Sequence, residues 1–151
     1  MSEGKEKFSK ILVAIDGSEA SMDAADYAIQ MAREYNSELI ALHVILSDLT
    51  IFGPNPPRHI NELKQEAQKY LDKIREKSNL DSNNSDKKIL LRTELIASAS
   101  AVGGIVGFAE KENTSLIVIG TRGRSGFKKL LLGSVAAGVV THAHCPVMVI
   151  K

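Results

Sequence analysis

Short apolar runs alternate along this chain with segments whose small and aliphatic residues recur at helical spacing, and that alternation leaves few folds open. Ile11-Leu-Val-Ala-Ile15, Leu39-Ile-Ala-Leu-His-Val-Ile45, Ile89-Leu-Leu-Arg-Thr-Glu-Leu95, Ser115 to Ile119 and Pro146-Val-Met-Val-Ile150 read as strands. The first two are almost continuously apolar, the pattern of strands buried on both faces in a parallel sheet. Ala24, Ala25, Ala28, Ile29 and Ala32 mark a helix reaching about Tyr35, which Ser18 or Ser21 can cap. Ile60, Leu63, Ala67, Tyr70, Leu71 and Ile74 line the inner face of a second helix after the break at Gly53-Pro-Asn-Pro-Pro57. The polar tract from Ser78 to Lys88 reads as a loop. A third helix is expected from Ala99 to about Lys111, although Gly103, Gly104 and Gly107 each weaken it by about 1 kcal/mol. A fourth is expected from Ser134 to about His142. Strand–helix alternation throughout predicts one α/β domain over residues 1–151, a Rossmann-like open five-stranded parallel sheet with helices on both faces.

Between the fourth strand and the fourth helix lies Gly120-Thr-Arg-Gly123-Arg-Ser-Gly-Phe-Lys-Lys-Leu-Leu-Leu-Gly133-Ser134. Glycines let a backbone approach a ligand closely and turn its N–H groups inward. Gly133 and Ser134 then open a helix, whose positive end favours an anion. Arg122, Arg124, Lys128 and Lys129 add cations with no acid among them, so the segment has the makings of a phosphate cradle. It is not a P-loop, since nothing reads Gly-x4-Gly-Lys-(Ser/Thr). Gly120, Gly123 and Gly133 would give donors and clearance, while Ser134 would cap the helix or donate to a phosphate oxygen, with the N–H of Val135 beside it.

Asp16 ends the first strand and Gly120 ends the fourth. Open α/β sheets bind ligands outside the carboxyl ends of their strands, where the strand order reverses. If those two strands are neighbours, acid and glycine loop face one crevice. Asp16 would then accept a ribose hydroxyl or hold Mg²⁺ beside a phosphate. Ala14, Ile15, Val44 and Ile119 are core residues first, but backbone groups at Ala14 or Val44 sit where they can read a base edge, and apolar side chains where they can enclose a ring.

Composition narrows the function. A net charge of +1 argues against a general nucleic-acid binder, and the basic cluster at 122–129 is too short to form a basic face. No apolar stretch approaches the roughly 20 residues that cross a bilayer, so no membrane partner is expected. The single cysteine, Cys145, excludes an internal disulfide, and Met-Ser-Glu-Gly-Lys-Glu-Lys lacks a signal peptide's apolar core, so a cytoplasmic location is expected. His142, His144 and Cys145 are too crowded for most tetrahedral metal sites, and His43 reads as a packed histidine within its strand.

Taken together, these residues resemble the ATP-binding branch of the universal stress protein family across nearly the whole chain. Its signature, Gly-x2-Gly-x9-Gly-(Ser/Thr), stands complete as Gly120, Gly123, Gly133 and Ser134. Ile11-Leu-Val-Ala-Ile-Asp-Gly-Ser18, Leu42-His-Val44 and His142-Ala-His-Cys-Pro-Val-Met-Val149 match in order, while Ser125 stands where the loop often has a further glycine. The resemblance implies the strand order 3-2-1-4-5. It also implies ATP, with Mg²⁺, its adenine near the first two strands and Val44, its ribose near Asp16 and its phosphates on residues 120–134. Pro146 to Ile150 would lie at the sheet edge and, as in the family, pair with a second copy in a homodimer.

The function expected is an ATP-dependent stress-response or signalling module with at most slow hydrolysis, because no general base is evident at the γ-phosphate. An adenine-nucleotide hydrolase or transferase of the same class is the alternative, and a nucleotide-free interaction module a third reading.

Overall fold

The computed structural model describes residues 7–47, 54, 58–82, 88–121 and 132–151. Among them the elements run β1 (Lys10–Ala14), α1 (Glu19–Tyr35), β2 (Glu38–Leu46), α2 (Arg58–Ser82), β3 (Leu90–Ser98), α3 (Ala101–Lys111), β4 (Leu116–Gly120), α4 (Ser134–His142) and β5 (Val147–Ile150). All pairings are parallel, in one sheet of order β3-β2-β1-β4-β5. The chain thus winds outward from β1 through β2 to β3, then crosses back to place β4 on the other side of β1.

The apolar run of β1 explains the layers. Ile11, Val13 and Ile15 point to one face, where they pack with Ala24, Ala25 and Ala28 of α1 and Leu71 and Ile74 of α2. Leu12 and Ala14 point to the other and meet Ile105 and Ala109 of α3 and Ala136 and Val139 of α4. A strand with an apolar residue at every position can bury both faces, each such side chain contributing about 1.5–3 kcal/mol. Small residues on α1 let its axis come close to the sheet.

Of the glycines expected to weaken α3, Gly104 has a packing explanation. A Cβ on Gly104 would lie 3.0 Å from Cγ1 of Val44 and from Cβ of Ser98, so the helix rests directly on β2 and β3 there. On α4, a Cβ at Gly138 would lie 2.6 Å from Cγ2 of Val102, which brings α3 and α4 together. Gly107 meets nothing within 4 Å.

β3 runs three residues beyond the expected Leu95, to Ser98, and two helix boundaries also differ from expectation. The α2 helix runs on to Ser82, five residues into the tract read as a loop, because no Gly or Pro stands there to stop it. The α3 helix begins at Ala101, since the Ser100 hydroxyl accepts from the N–H of Gly103 at 3.1 Å and so fixes the cap after Ala99.

Candidate functional site

At the carboxyl ends of β1, β2 and β4 the structure opens a cleft of about 450 Å³. It sits where the strand order reverses, between β1 and β4. Its volume falls in the usual range for small-molecule sites. Ala14, Ile15, Asp16, Val44, Ile119, Gly120, Gly133, Ser134 and Val135 all line it. The other expected site residues, Arg122 and Gly123, lie outside the described residues, as do Arg124, Lys128 and Lys129.

Asp16 is held by the turn that follows β1. Its Oδ1 accepts from the N–H of Ser18 at 2.9 Å, an Asx turn, and its own N–H donates to Oγ of Ser21 at 3.3 Å. Ser18 caps α1 by accepting from the N–H of Ser21 at 3.1 Å. Of the two candidate caps, Ser18 fills the role, while Ser21 is buried and ties the turn to the helix by donating to the Ser18 carbonyl. Gly17 adopts φ 84°, the left-handed region that makes the sharp exit from the strand affordable only to glycine. The carboxylate is therefore fixed before any ligand arrives.

The phosphate end departs in detail from what the sequence suggests. Gly133, not Ser134, is the N-cap of α4, and no side chain caps that helix. The N–H of Gly133 donates to the Thr121 carbonyl at 2.5 Å, so it closes the base of the 122–132 segment instead of facing the cleft as a donor. Thr121 is itself anchored, its N–H donating to the Ile150 carbonyl at 2.9 Å. The first helical bond runs from Ala137 to the Gly133 carbonyl at 2.9 Å, which leaves the N–H groups of Ser134, Val135 and Ala136 without intrahelical partners. Those three amides and the Ser134 hydroxyl form the donor set at this end. Gly120 has a packing reason for lacking a side chain, since a Cβ there would fall 2.8 Å from the Ala20 carbonyl oxygen of α1.

The base end is formed by β2 running past the end of β1. Along β2, even-numbered residues turn their main-chain groups toward β1: Glu38 donates to the Ser9 carbonyl at 3.0 Å, and Leu42 accepts from Ile15 at 2.8 Å. Val44 faces the same way, but the chain has already left the sheet at Asp16. Its N–H and C=O thus form an open donor–acceptor pair at the cleft. Ala14, the other candidate, stands opposite Leu42 in the register but turns its main-chain groups away from β2 toward β4, as Lys10 does in accepting from the N–H of Ser115 at 2.9 Å.

Sequence reasoning missed the wall supplied by α2. Leu63, Glu66, Ala67 and Tyr70 line the cleft, with the Tyr70 hydroxyl donating to Oε1 of Glu66. His43 also lines it, as more than a packed histidine, with its ring centroid 5.9 Å from that of Tyr70. A histidine interrupting an apolar strand was the available signal. His142 and His144 are exposed at the far end of α4, and Cys145 packs against the α3/α4 side of the sheet. Among the described residues, no group of three or more His, Cys, Asp or Glu is placed to hold a metal ion, and no helix is long and apolar enough to cross a membrane.

Residues 7–151 match the universal stress protein family. Universal stress protein MJ0531 of Methanocaldococcus jannaschii is 37% identical over 153 residues, covering 98% of this chain and 85% of that protein. The solved structure of UspA from Lactobacillus plantarum superposes with a TM-score of 0.77 at 26% identity, covering 96% of this chain and 99% of that one. The universal stress protein from Archaeoglobus fulgidus, solved in complex with dAMP, shares the fold with a TM-score of 0.67 at 23% identity over 96% of this chain and 99% of its own. With its fold, its cleft and a match over nearly all its length, this chain belongs to the universal stress protein family.

Proposed function

We propose that the cleft binds an adenine nucleotide, ATP, and that the protein works as a nucleotide-dependent stress-response or signalling module in the cytoplasm. One observation carries the reading. A single cleft joins an open main-chain edge at Val44, a fixed carboxylate at Asp16 and the uncapped start of α4 at Ser134 and Val135. These suit, in that order, a purine edge, a ribose hydroxyl and phosphate oxygens. Adenine offers an adjacent donor and acceptor on one edge, which matches the main-chain pair of Val44. The α4 amides and dipole favour the anionic end. The A. fulgidus relative in complex with dAMP supports the choice of base, and Gly120, Gly123, Gly133 and Ser134 support the triphosphate.

Among the described residues lining the cleft, Asp16 at the end of β1 and Glu66 on the α2 wall are the carboxylates, and Asp16 beside the ribose would fit a Mg²⁺ delivered by the nucleotide phosphates and completed by water, not a resident metal centre. The ion would neutralise phosphate charge, and Asp16 would orient its water shell. The nucleotide is held with at most slow hydrolysis. Bound ATP would shift which partner the protein prefers. We also propose a homodimer formed by pairing of β5, the sheet edge at Val147–Ile150, with its counterpart. Sedimentation showing only monomer at micromolar concentration contradicts the dimer.

The direct test is Gly133→Val. The backbone at Gly133 has φ −66°, open to any residue, so the loop conformation tolerates the change. A branched side chain at the helix start blocks the phosphates, and ATP binding by calorimetry is expected to disappear while the circular dichroism spectrum stays unchanged. Undiminished binding rules out this placement of the phosphates.

A further inference from the structure

The ladder between β1 and β2 stops one rung early, and a side chain stops it. Continuing the repeat set by Glu38 and Leu42, the next bond would run from the N–H of Val44 to the carbonyl of Ile15. Among the described residues that bond is not made. The Ile15 carbonyl accepts instead from Nδ1 of His43 at 2.6 Å. A carbonyl oxygen accepts only, so Nδ1 carries the hydrogen and the tautomer is fixed. Odd-numbered residues of β2 bond toward β3, as the N–H of Ser47 does to Ser98 at 3.0 Å. Val44 therefore finds no substitute partner on that side.

We infer that His43 is a positioning residue for base recognition: its imidazole takes the Ile15 carbonyl in place of Val44 and so keeps the Val44 N–H open to the cleft. The substitution resolves a conflict in the fold. A purine edge needs an unpaired main-chain donor, but the carbonyl of Ile15, which lines the same cleft, also needs a partner. One side chain meets the second need and preserves the first. Tyr70 backs the ring from α2, with the two planes inclined at 57°. The inference rests on the adenine reading given above for its purpose, though not for its geometry.

The two are separable by experiment. In the nucleotide-free protein, amide hydrogen exchange at Val44 is expected to be fast for a strand residue. In His43→Leu, which has no donor, the Val44 amide is free to take the Ile15 carbonyl, and its exchange is expected to slow at least tenfold. In His43→Asn, whose amide can reach from near the Nδ1 position, exchange stays fast. ATP affinity follows the same pattern, falling roughly tenfold in His43→Leu and recovering in His43→Asn. A merely structural histidine would not give that rescue together with a change at the single Val44 amide. A Val44 amide already protected in the wild type, or equally exposed in His43→Leu, overturns the role of His43. If exchange responds as described but the wild type binds no adenine nucleotide, the geometry stands and the adenine reading is overturned, together with the purpose assigned to the open edge.

Discussion

Tyr70 stands directly over Gly17: a Cβ added to Gly17 would lie 2.3 Å from Cζ of the Tyr70 ring. The turn that fixes Asp16 and the helix that walls the cleft are thus in contact through a position where no side chain fits. Gly17→Ala forces two adjustments, since φ 84° is strained for an L-residue and the ring must swing aside. The backbone strain alone is expected to destabilise by about 1–2 kcal/mol in urea unfolding. Tyr70→Ala in the same background removes the steric part, so the double-mutant cycle shows a coupling energy of about 0.5 kcal/mol or more. Strict additivity would mean the contact is not felt.

Two other glycines give opposite expectations. Gly120→Ala drives a methyl group against the main chain of Ala20, which has little freedom to move, and is expected to cost about 1–3 kcal/mol. Gly107→Ala, with nothing within 4 Å on an exposed face of α3, is expected to stabilise by about 0.5–1 kcal/mol through helix propensity. Denaturant midpoints compared at constant m-value test both.

Burial raises the Cys145 thiol above its ordinary value, with backbone hydrogen bonding at Ile117 opposing the shift in part. The thiol is neutral when protonated, so the folded state holds this proton more tightly than the unfolded chain. Its contribution to stability is full below the ordinary thiol pKa and is lost as pH rises through the raised one. Alkylation by iodoacetamide in native buffer is expected to be slower than for an exposed thiol and to accelerate on unfolding. Cys145→Ala is expected to lose less stability than the parent protein on going to alkaline pH. Rapid alkylation of the folded protein at neutral pH contradicts this.

The layers were legible because the Ile11–Ile15 run has no polar face, and two-sided burial demands helices on both sides. The start of α4 was legible because Gly133 and Ser134 interrupt an apolar pattern. The exchange of roles between them was not, since either residue can occupy an N-cap and only the backbone decides it, with the Gly133 carbonyl accepting the first helical bond from the N–H of Ala137. The end of α2 was misplaced because polar residues favour neither helix nor loop strongly enough without a glycine or proline. Tyr70 was assigned to a helix face without a destination, and Glu66 was not singled out, because periodicity states which residues share a face but not what it covers. His43 was visible as an exception in its strand, yet its partner is the carbonyl of Ile15, 28 residues earlier in the chain, and only the sheet register brings the two together.

Titration of the ¹⁵N-labelled protein with ATP tests the central claim most directly. Saturable shifts of the Val44, Asp16, Ser134 and Val135 amides are expected, with GTP far weaker because its edge presents the reverse donor–acceptor pattern to Val44. No shift at these amides at millimolar ATP, or equal response to GTP at Val44, contradicts it.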